Sequence, residues 1–569
     1  MVISAINALS LSPALCSLIL RHRKKPRGVM AWLQNGIDKS RDGYVRLVTP
    51  IARRTFLALI LVGGFVLATG GIGSLVPSGF LPDEDQGAFM AEVQLPDSAS
   101  TNRTAAAVEE VEKTVQGKPW MQSMFTVTGY SLLDGLNMSN RALVVVGLKP
   151  FAERKDPTLT VFYALDELNK AFARIASANV FAFNLPPIMG LGNSSGFEFV
   201  VQSLAGAPPA DLAAVARGMM ISAQQVPQLA GVFTTYAAAA PQINLKLDRE
   251  RAQALGVSIS DIFSAMQTTL GGAYTNDFNL FGRVWQVKVQ ADAPDRSNVN
   301  DIFRVRVRSS NGELLPLQAV ASVELVTAPS SIVRYNNLRS VVLNGAPAPG
   351  FSSGQAIAAM EELAKSTLPA GYGYEWTGTA LQEKAASGQT GSILALAVLF
   401  AYLFLVALYE STAIPIAALL SVAVGLFGAV LALYLTGLDN NIFAQIGIVV
   451  LIALAAKNAI LIIEFAMEER AGGKDIVTAA TTAAGLRFRA VMMTSFAFIL
   501  GLVPLVIASG AGAATQRAVG TAVFGGMIAA SFLGIFVIPG LYVALQTFRE
   551  KVKGVDKNTV EYRHVEPDP

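Results

Sequence analysis

Six long apolar stretches constrain this chain most, because about 20 apolar residues in a helix are enough to cross a lipid bilayer. Hydrophobic residues make up 52% of the 569 residues and charged residues only 15%. Together these features predict a multi-pass α-helical membrane protein with a large polar insert. The stretches lie at 55–76, 392–410, 412–436, 442–466, 490–509 and 519–546.

Lysine and arginine predict the orientation, because the short cytoplasmic flanks of membrane helices are enriched in both residues. Basic residues are concentrated at 21–54, at 468–489 and in the tail after Thr547. These three segments are therefore expected inside the cell, and the polar block from 77 to 390 outside the membrane. In a Gram-negative cell this block is periplasmic and the membrane is the inner membrane.

The first 20 residues form a shorter apolar stretch. It has no charged start of the kind that signal peptides carry, and it leads directly into the basic run at 21–27. We expect this stretch to be the end of a transmembrane helix whose beginning is missing.

One lysine, Lys457, stands inside the apolar run 447–466. A lysine near the middle of a membrane helix costs about 2.5–3.5 kcal/mol, so such a charge usually belongs to an ion or proton pathway. The alternatives are a structural ion pair or a side chain that extends to the membrane surface. Glu464 shares the helix face of Lys457, but two helical turns are too long for a direct pair.

The residue types that the sequence lacks exclude several kinds of chemistry. With one cysteine, Cys16, and two histidines, His22 and His564, no intrachain disulfide, Cys/His zinc cluster or histidine-centred triad is expected. No GxxxxGK[ST] phosphate-binding loop occurs, which argues against ATP hydrolysis. The net charge of +3, without a basic stripe, gives no argument for nucleic acid. The acidic turn at 83–85 is interpreted as solvated, and no metal is predicted.

The polar block alternates between strand and helix patterns. The segments AFMAEVQL, ALVVVGL, FEFVVQ and VWQVKVQ alternate as strands do, with helical periodicity between them. The order from 83 to 202 is repeated from about 203 to 385, apart from an insertion at 241–330. This predicts a large α+β insert of repeated βαβ units that arose by internal duplication.

Five segments together resemble one protein family. They are AAKNAILIIEFA (455–466), RAVMMTSFAFILGLVPL (489–505), FNLPPIMGLGNSSGFEF (183–199), ALGVSISDI (254–262) and ALYEST (407–412). They are similar to the resistance-nodulation-division (RND) multidrug efflux pumps of the hydrophobe/amphiphile exporter branch. Members of that family consist of two tandem halves, and the resemblance covers the C-terminal half only, from the end of the family's sixth helix.

The resemblance implies a secondary active transporter, a proton antiporter, and not an enzyme. Such a pump is a homotrimer in the inner membrane that takes lipophilic or amphiphilic small molecules from the periplasm or the outer leaflet. It passes them to a periplasmic adaptor (a membrane fusion protein) and an outer-membrane channel. The proton gradient supplies the energy, so no cofactor is implied. The partner that this chain then requires is the missing N-terminal half.

The resemblance also implies a proton relay. Lys457 matches the family's intramembrane lysine, which pairs with two aspartates of the fourth helix that are not in this sequence. Thr494 matches the relay hydroxyl, Arg487 matches the arginine at the cytoplasmic mouth, and Asn458 is a weaker member beside the lysine. Alternatively, Thr494 bonds only a carbonyl of its own helix, and Arg487 only anchors the helix end.

A substrate route is implied by the same resemblance. The segment 125–143 aligns with the family's flexible switch loop, with Gly129 and Gly135 as its glycines. Where family members often have several phenylalanines, this chain has Tyr130, Leu132 and Leu143. These residues offer less aromatic area for stacking on a substrate, which puts the substrate spectrum in doubt. From spacing alone, Phe197 and Phe199 are predicted to be core residues, because they alternate along a strand. The deep-pocket residues are Phe125, Val127, Tyr130, Leu132 and Leu143, and the outer-pocket residues are Phe197 and Phe199.

The predicted domains follow this family pattern. In the membrane and the cytoplasm they are a helix remnant at 1–20, a basic segment at 21–54, a transmembrane helix at 55–76, a five-helix bundle at 392–546 and a tail at 547–569. In the periplasm they are a porter subdomain at 77–202, a second one at 203–240 with 331–385, and a docking subdomain at 241–330. The docking subdomain contains the hairpin GGAYTNDF, which holds neighbouring protomers in the family.

The preferred interpretation is the C-terminal half of a proton-driven RND efflux transporter. The alternative is a non-transporting fragment that acts as a membrane-anchored periplasmic interaction module. Transport requires two aspartates of another polypeptide beside Lys457, whereas an interaction module does not require them.

Overall fold

The computed structural model describes residue 3, residues 6–19 and residues 29–553. Parts of the predicted helix remnant and basic segment, and residues 554–569 of the predicted tail, therefore lie outside the described residues. Near the N-terminus, a π-helical turn at Asn7–Leu11 leads directly into a short helix at Ser12–Ile19.

Helices and strands are numbered here in chain order. The α-helices are α1 Ser12–Ile19, α2 Val29–Arg53, α3 Thr55–Gly73, α4 Thr101–Val115, α5 Val161–Phe172, α6 Pro209–Ala223, α7 Arg249–Ala254, α8 Ile259–Met266, α9 Ser353–Thr367, α10 Gly378–Ser387, α11 Thr390–Tyr409, α12 Ile414–Thr436, α13 Ile442–Ala471, α14 Ile476–Val506, α15 Ala513–Ala529 and α16 Ile535–Lys553. The β-strands are β1 Ala88–Gln94, β2 Met121–Ser131, β3 Leu136–Leu148, β4 Asn179–Asn184, β5 Phe197–Ser203, β6 Leu229–Phe233, β7 Ala240–Leu247, β8 Ala273–Leu280, β9 Arg283–Val289, β10 Arg306–Arg308, β11 Leu314–Pro316, β12 Ala321–Ala328, β13 Arg334–Tyr335, β14 Leu338–Pro347 and β15 Tyr372–Thr377.

Six helical segments of the described residues are long and apolar enough to cross a membrane. Five of them are α3, α11, α12, α13 and α14. The sixth is the continuous segment Ala513–Val552, in which a π-helical turn at Ala530–Gly534 joins α15 to α16. Each of the six predicted apolar stretches falls on one of these segments, which confirms a multi-pass membrane protein.

The predicted loop at 468–489 is mostly helical. Helix α13 continues to Ala471, and α14 already begins at Ile476. Gly473 adopts a left-handed φ of 93° after α13, and the side chain of Asp475 accepts a hydrogen bond from the backbone of Thr478 to begin α14. The prediction ended both helices where their apolar character ended, but their polar ends continue beyond it.

Small residues allow α12 and α15 to lie close together. A Cβ atom added to Gly428 would lie 2.5 Å from the carbonyl oxygen of Gly525, and one added to Gly526 would lie 3.0 Å from that of Gly425. Alanine does not fit at these positions without a shift of the backbone. The glycines and alanines spaced four apart in the sequence therefore mark a helix contact.

The polar block contains two antiparallel sheets with the same strand order. The first sheet has the order β2-β3-β1-β4. In the second, β6 pairs with β14, β14 with β5, and β5 with β15. In both sheets, each helical crossover connects two strands that are separated by one intervening strand. The chain is therefore a membrane protein with a large α+β region outside the bundle.

Helices cover one face of each sheet, and the opposite face is called the helix-free face below. In the first sheet, Ala91 and Val144 pack against α4 and α5. Because side chains alternate along a strand, Glu92 and its cross-strand neighbour Leu143 lie on the helix-free face. In the second sheet, Phe199 packs against α6 and α9.

A smaller unit lies between β6 and β14. Its two-stranded sheet of β7 and β12 packs near a core that includes Ile262 and Leu317. A hairpin of β8 and β9 extends from this unit, and almost all of its residues are exposed. Phe281 at the tip of the hairpin is 90% exposed.

Candidate functional site

Lys457 lies on the exposed face of α13. The exposed residues of this helix recur every three or four positions, whereas its opposite face is buried among the other membrane helices. Within residues 29–553, Lys457 forms no ion pair. The exposed face therefore carries one cation without a counter-charge from this chain. The residues of this face are Ile446, Val450, Ala453, Lys457, Glu464 and Glu468.

Asn458 points the opposite way, into the bundle. It is 2% exposed, and its amide nitrogen lies 3.5 Å from the hydroxyl of Ser495 and 3.4 Å from the hydroxyl of Ser531. Ser531 belongs to the π-helical turn between α15 and α16. Asn458 thus joins three helices through a buried polar contact, which accounts for its presence without a relay role.

Thr494 and Arg487 lie on α14, which packs along α13. The guanidinium of Arg487 lies 3.2 Å from the ring centre of Phe465, and the hydroxyl of Thr494 donates to the carbonyl of Val491 at 3.0 Å. The contact of Asn458 with Ser495 fixes the relative height of the two helices. Because Lys457 and Thr494 adjoin those two residues, the structure brings them to the same depth. Arg487 lies about two helical turns away.

The predicted deep-pocket residues lie together on the first sheet. Val127 on β2 is directly opposite Leu143 on β3, and Phe125 is two residues from Val127. All three side chains therefore lie on the helix-free face. Phe125 is 64% exposed, whereas Leu143 is 7% exposed.

Most of the segment 125–143, which was predicted to align with a flexible switch loop, belongs to β2 and β3, and only residues 132–135 form the turn between these strands. Gly129 interrupts the register of the two strands, and Gly135 ends the turn that follows β2. Their φ angles of 92° and 66° are ones that L side chains rarely adopt, so glycine is required at both positions. Tyr130 and Leu132, which are half-buried, lie between them.

Phe197 and Phe199 lie in a different environment from the deep-pocket residues. They are 3% and 0% exposed, and their rings pack edge-on against Trp376. Phe199 also stacks on Tyr374 with 4.9 Å between ring centres. Both are thus placed as core side chains of the second sheet, and Phe197 also lines a cavity. Their role in an outer pocket stays a prediction.

That cavity, of about 350 Å³, lies where the polar block meets the membrane helices. Besides Phe197, its lining includes the carboxylates of Asp83, Glu383 and Asp439. Burial, and to a lesser degree the nearby charge of Asp439, raise the pKa of Glu383 to about 7 despite its hydrogen bond with Ser353. The cavity is therefore acidic in character.

The acidic turn at 83–85 is not solvated as predicted, because each carboxylate has a protein partner. Asp85 accepts a hydrogen bond of 2.7 Å from Arg154, which is 6% exposed. Glu84 accepts a hydrogen bond of 2.9 Å from the backbone N–H of Thr515, at the start of α15. The turn thus connects the first sheet to the membrane bundle.

Charged residues on the helix-free face of the first sheet were missed by the sequence analysis. Glu92 is 0% exposed and Arg141 is 1% exposed. Burial raises the pKa of Glu92 to about 7, although Ser131 and Arg141 act in the opposite direction. The strand pattern of AFMAEVQL contained the only available clue, because it places a glutamate between apolar residues of a buried strand.

A family model and several characterised relatives match this chain and agree on the kind of protein. Residues 1–546 match the AcrB/AcrD/AcrF family. The chain is 38% identical over 571 residues to the toluene efflux pump membrane transporter TtgB of Pseudomonas putida, covering 98% of this chain and 54% of that protein. It is 38% identical to the multidrug export protein AcrF of Escherichia coli and 37% identical to the multidrug resistance protein MdtF of the same species, covering 96% of this chain and 53% of each relative.

The chain thus spans about half the length of these relatives. The family match extends over the membrane helices and the α+β region alike. On this evidence the chain belongs to the AcrB/AcrD/AcrF family of RND efflux transporters.

Proposed function

We propose that this chain is the C-terminal half of a proton-driven RND efflux transporter that exports drugs and other amphiphiles. The observation that carries the proposal is Lys457, which lies on an exposed face of a membrane helix and forms no ion pair within residues 29–553. The similarity to the toluene and multidrug transporters, which are about twice as long, supports the assignment to a half.

Lys457 is the centre of the proposed proton pathway. A charged lysine on a membrane-facing surface is costly, and two carboxylates on a helix of another polypeptide would offset that cost. Protonation of those carboxylates would release the lysine and favour a different packing of α13. Each proton that crosses the membrane supplies about 2.3 kcal/mol per 100 mV, which is enough to drive a weakly bound substrate uphill.

Thr494 and Arg487 are proposed to extend the pathway toward the cytoplasm. The residue next to Thr494, Ser495, contacts the residue next to Lys457, Asn458, and the hydroxyl of Thr494 now donates to the carbonyl of Val491. Arg487 is about two turns away on the same helix. Asn458 has the weakest support, because its amide is turned toward Ser495 and Ser531.

Substrates are proposed to bind on the helix-free face of the first sheet. Phe125, Val127 and Leu143 form an apolar surface beside the glycine-bounded turn. Such a surface suits adaptable recognition of amphiphiles, because it offers apolar area to the body of the ligand. Tyr130 at the end of β2 and Leu132 in the turn would then contact the substrate as well.

The assembly is proposed to be a homotrimer in the inner membrane of a Gram-negative cell. The exposed β8–β9 hairpin supports this arrangement, because aromatic side chains such as Phe281 and Trp285 are left without cover. A periplasmic adaptor and an outer-membrane channel would complete the route out of the cell. The shared strand order of the two sheets supports repeated porter subdomains, with residues 241–330 as the docking subdomain.

The second candidate function is that of a membrane-anchored interaction module without transport. The same exposed hairpin favours it, because protomer contacts need no proton pathway. The two functions differ in their dependence on Lys457, which only transport requires.

The experiment is to co-express the chain with the first half of the TtgB protein in a strain that lacks efflux pumps. We expect dye export that a protonophore abolishes. Lys457→Ala should abolish the export, whereas the matched control Lys551→Ala, at the exposed end of α16, should retain it. Hairpin-dependent trimers without export from the wild-type pair would favour the interaction module instead.

A further inference from the structure

The helix-free face of the first sheet holds a buried carboxylate without a hydrogen-bond partner. Glu92 lies opposite Leu143 on β3 and opposite Phe181 on β4, at the centre of this face. It is 0% exposed, and within the described part of the chain neither of its carboxylate oxygens has a partner in good hydrogen-bond geometry, although Ser131 and the backbone of Leu132 lie close enough to lower its pKa. A buried polar group without a partner costs about 1–3 kcal/mol, and more when it is charged.

Arg141 is the second group of this kind and lies on the same face. It is two residues from Leu143 on β3, and its Nη2 donates to the carbonyl of Thr235 at 2.8 Å. Its Nε and Nη1 have no hydrogen-bond partner among the described residues. Two acceptor atoms of Glu92 and two donor atoms of Arg141 are therefore unused beside the proposed deep pocket.

Asp134 keeps the two groups from neutralising each other. It lies 3.9 Å from Arg141, and it accepts hydrogen bonds from Ser131 at 3.1 Å and from Thr235 at 2.6 Å. No nitrogen of Arg141 comes within ion-pair distance of Glu92 in this part of the structure. Asp134 is thus the nearer counter-charge of Arg141, which acts on Glu92 only from beyond ion-pair distance.

The groups around Glu92 come from the turn after β2 and from the segment after β6. Ser131 and the turn 132–135 lie between Gly129 and Gly135, the two residues with left-handed φ angles. From the second subdomain, Phe233 stacks on Phe181 with 4.3 Å between ring centres, and Thr235 bonds Asp134. Displacement of this turn would uncover Glu92 and Arg141 together, beside the apolar surface of Val127 and Leu143.

We propose that Glu92 and Arg141 are the polar recognition groups of the deep pocket and select zwitterionic amphiphiles. The cationic nitrogen of the ligand would donate a hydrogen bond to the carboxylate of Glu92, and Nε and Nη1 of Arg141 would donate hydrogen bonds to the carboxylate of the ligand. The apolar body of the ligand would lie on Val127 and Leu143. This inference rests on the proposed function, because it assumes that the face binds amphiphiles at all.

The test compares two probes that differ in one group. Rhodamine 19 is a zwitterion, and rhodamine 6G is its ethyl ester and therefore a cation of the same shape. Their binding to the purified full chain is measured by fluorescence polarisation at pH 8. We expect rhodamine 19 to bind about tenfold more tightly, as one charge-assisted hydrogen bond predicts.

Three variants separate the roles of the two groups. Arg141→Met should weaken rhodamine 19 about tenfold and leave rhodamine 6G unchanged, whereas Glu92→Gln should weaken both probes. The matched control is Glu198→Gln on the helix-free face of the second sheet, where Glu198 accepts a backbone hydrogen bond from Asn193 at 2.9 Å. This control should change neither affinity. Thermal unfolding shows whether each variant is folded.

A measurement at pH 5.5 tests the role of Glu92 by protonating its carboxylate, whose pKa is about 7. Both probes should bind the wild type more weakly at pH 5.5 than at pH 8, whereas their affinity for Glu92→Gln should not depend on pH. Among the described residues, the charged groups that act on Glu92 are Arg141 and Asp134, and the neighbouring Phe181, Phe233 and Thr235 are uncharged.

The possible results distinguish this inference from the proposed function. Equal affinities of the two probes, or the same preference in Arg141→Met and Glu92→Gln as in the wild type, would overturn the selection of zwitterions. If Leu143→Ala still weakened both probes, the pocket itself would stand. Binding of neither probe would contradict the pocket and, with it, this inference.

Discussion

The two sheets share one strand order, yet they use their faces differently. In the first sheet, the predicted substrate residues Phe125, Val127 and Leu143 lie on the helix-free face. In the second, Phe197 and Phe199 lie on the face that α6 and α9 cover, where they pack against Trp376. One resemblance assigned both sets to substrate binding, but only the first set lies on a face without helices.

This difference shows that the role of a residue in these sheets depends on the face on which its side chain lies. Side chains toward the helices form a close-packed core, and their size and shape are set by packing. Side chains on the helix-free face of the first sheet include Glu92 and Arg141, which packing does not explain. Function should therefore depend on the helix-free face, and stability on the helix-covered one.

The largest expected effect is on the stability of the second sheet. Phe199→Ala should lower the free energy of unfolding by about 3–5 kcal/mol, because it leaves a cavity in a core where the side chain is 0% exposed. Phe125→Ala, at a side chain that is 64% exposed, should change it by less than about 0.5 kcal/mol. Thermal unfolding of the solubilised chain measures both.

Dye binding should show the opposite order. Phe125→Ala is expected to weaken rhodamine binding, and a folded Phe199→Leu to leave it unchanged. If Phe199→Leu weakened binding as much as Phe125→Ala did, the separation of the two faces would be wrong.

A smaller effect is expected from pH on the first sheet. The pKa of Glu92 is raised to about 7 by burial, from 4.5 when unfolded, so the folded protein binds this proton more tightly. Stability should therefore fall as the pH rises from about 4.5 to about 7, by roughly 3 kcal/mol. Glu92→Gln should remove this part of the pH dependence, and Glu198→Gln on the second sheet should not. Identical pH profiles of Glu92→Gln and the wild type would contradict the assignment.

The smallest effect on stability is expected from replacing either of two glycines that lie on equivalent strands of the two sheets. Gly129 on β2 and Gly231 on β6 have φ angles of 92° and 58°, and an added Cβ atom at either would have no neighbour within 4 Å. Replacement by alanine should thus cost about 1–2 kcal/mol at each position through backbone strain alone. Only Gly129→Ala should also alter dye binding, because only Gly129 borders the turn over Glu92. Equal effects on binding would show that the turn has no special role.

Much of the membrane part could be predicted from the sequence, because apolar length is a local property. The six spans were found, and the lysine in α13 stood out from its apolar neighbours. The helix ends at Ala471 and Ile476 were missed, because polar helix ends look like loops. Which face of a strand packs against helices depends on contacts with residues that are distant in the sequence. For this reason the sequence analysis considered core positions for Phe197 and Phe199 but preferred the outer pocket that the resemblance implied.

The candidate site was predicted less completely than the spans. Lys457, Thr494 and Arg487 fall on two adjacent helices, but the exposure of Lys457 and the inward direction of Asn458 appear only in three dimensions. Glu92 and Arg141 are 49 residues apart in the sequence and meet only through the pairing of β1 and β3. No local pattern joins them.

Measuring proton flux shows directly whether transport is coupled to protons through Lys457. The chain and the first half of TtgB would be reconstituted together in liposomes that contain a pH-sensitive dye. We predict that substrate addition drives proton movement in the wild type and in Lys551→Ala, and that Lys457→Ala abolishes it while the two halves remain associated. Substrate-driven proton movement that persists in Lys457→Ala would contradict the account.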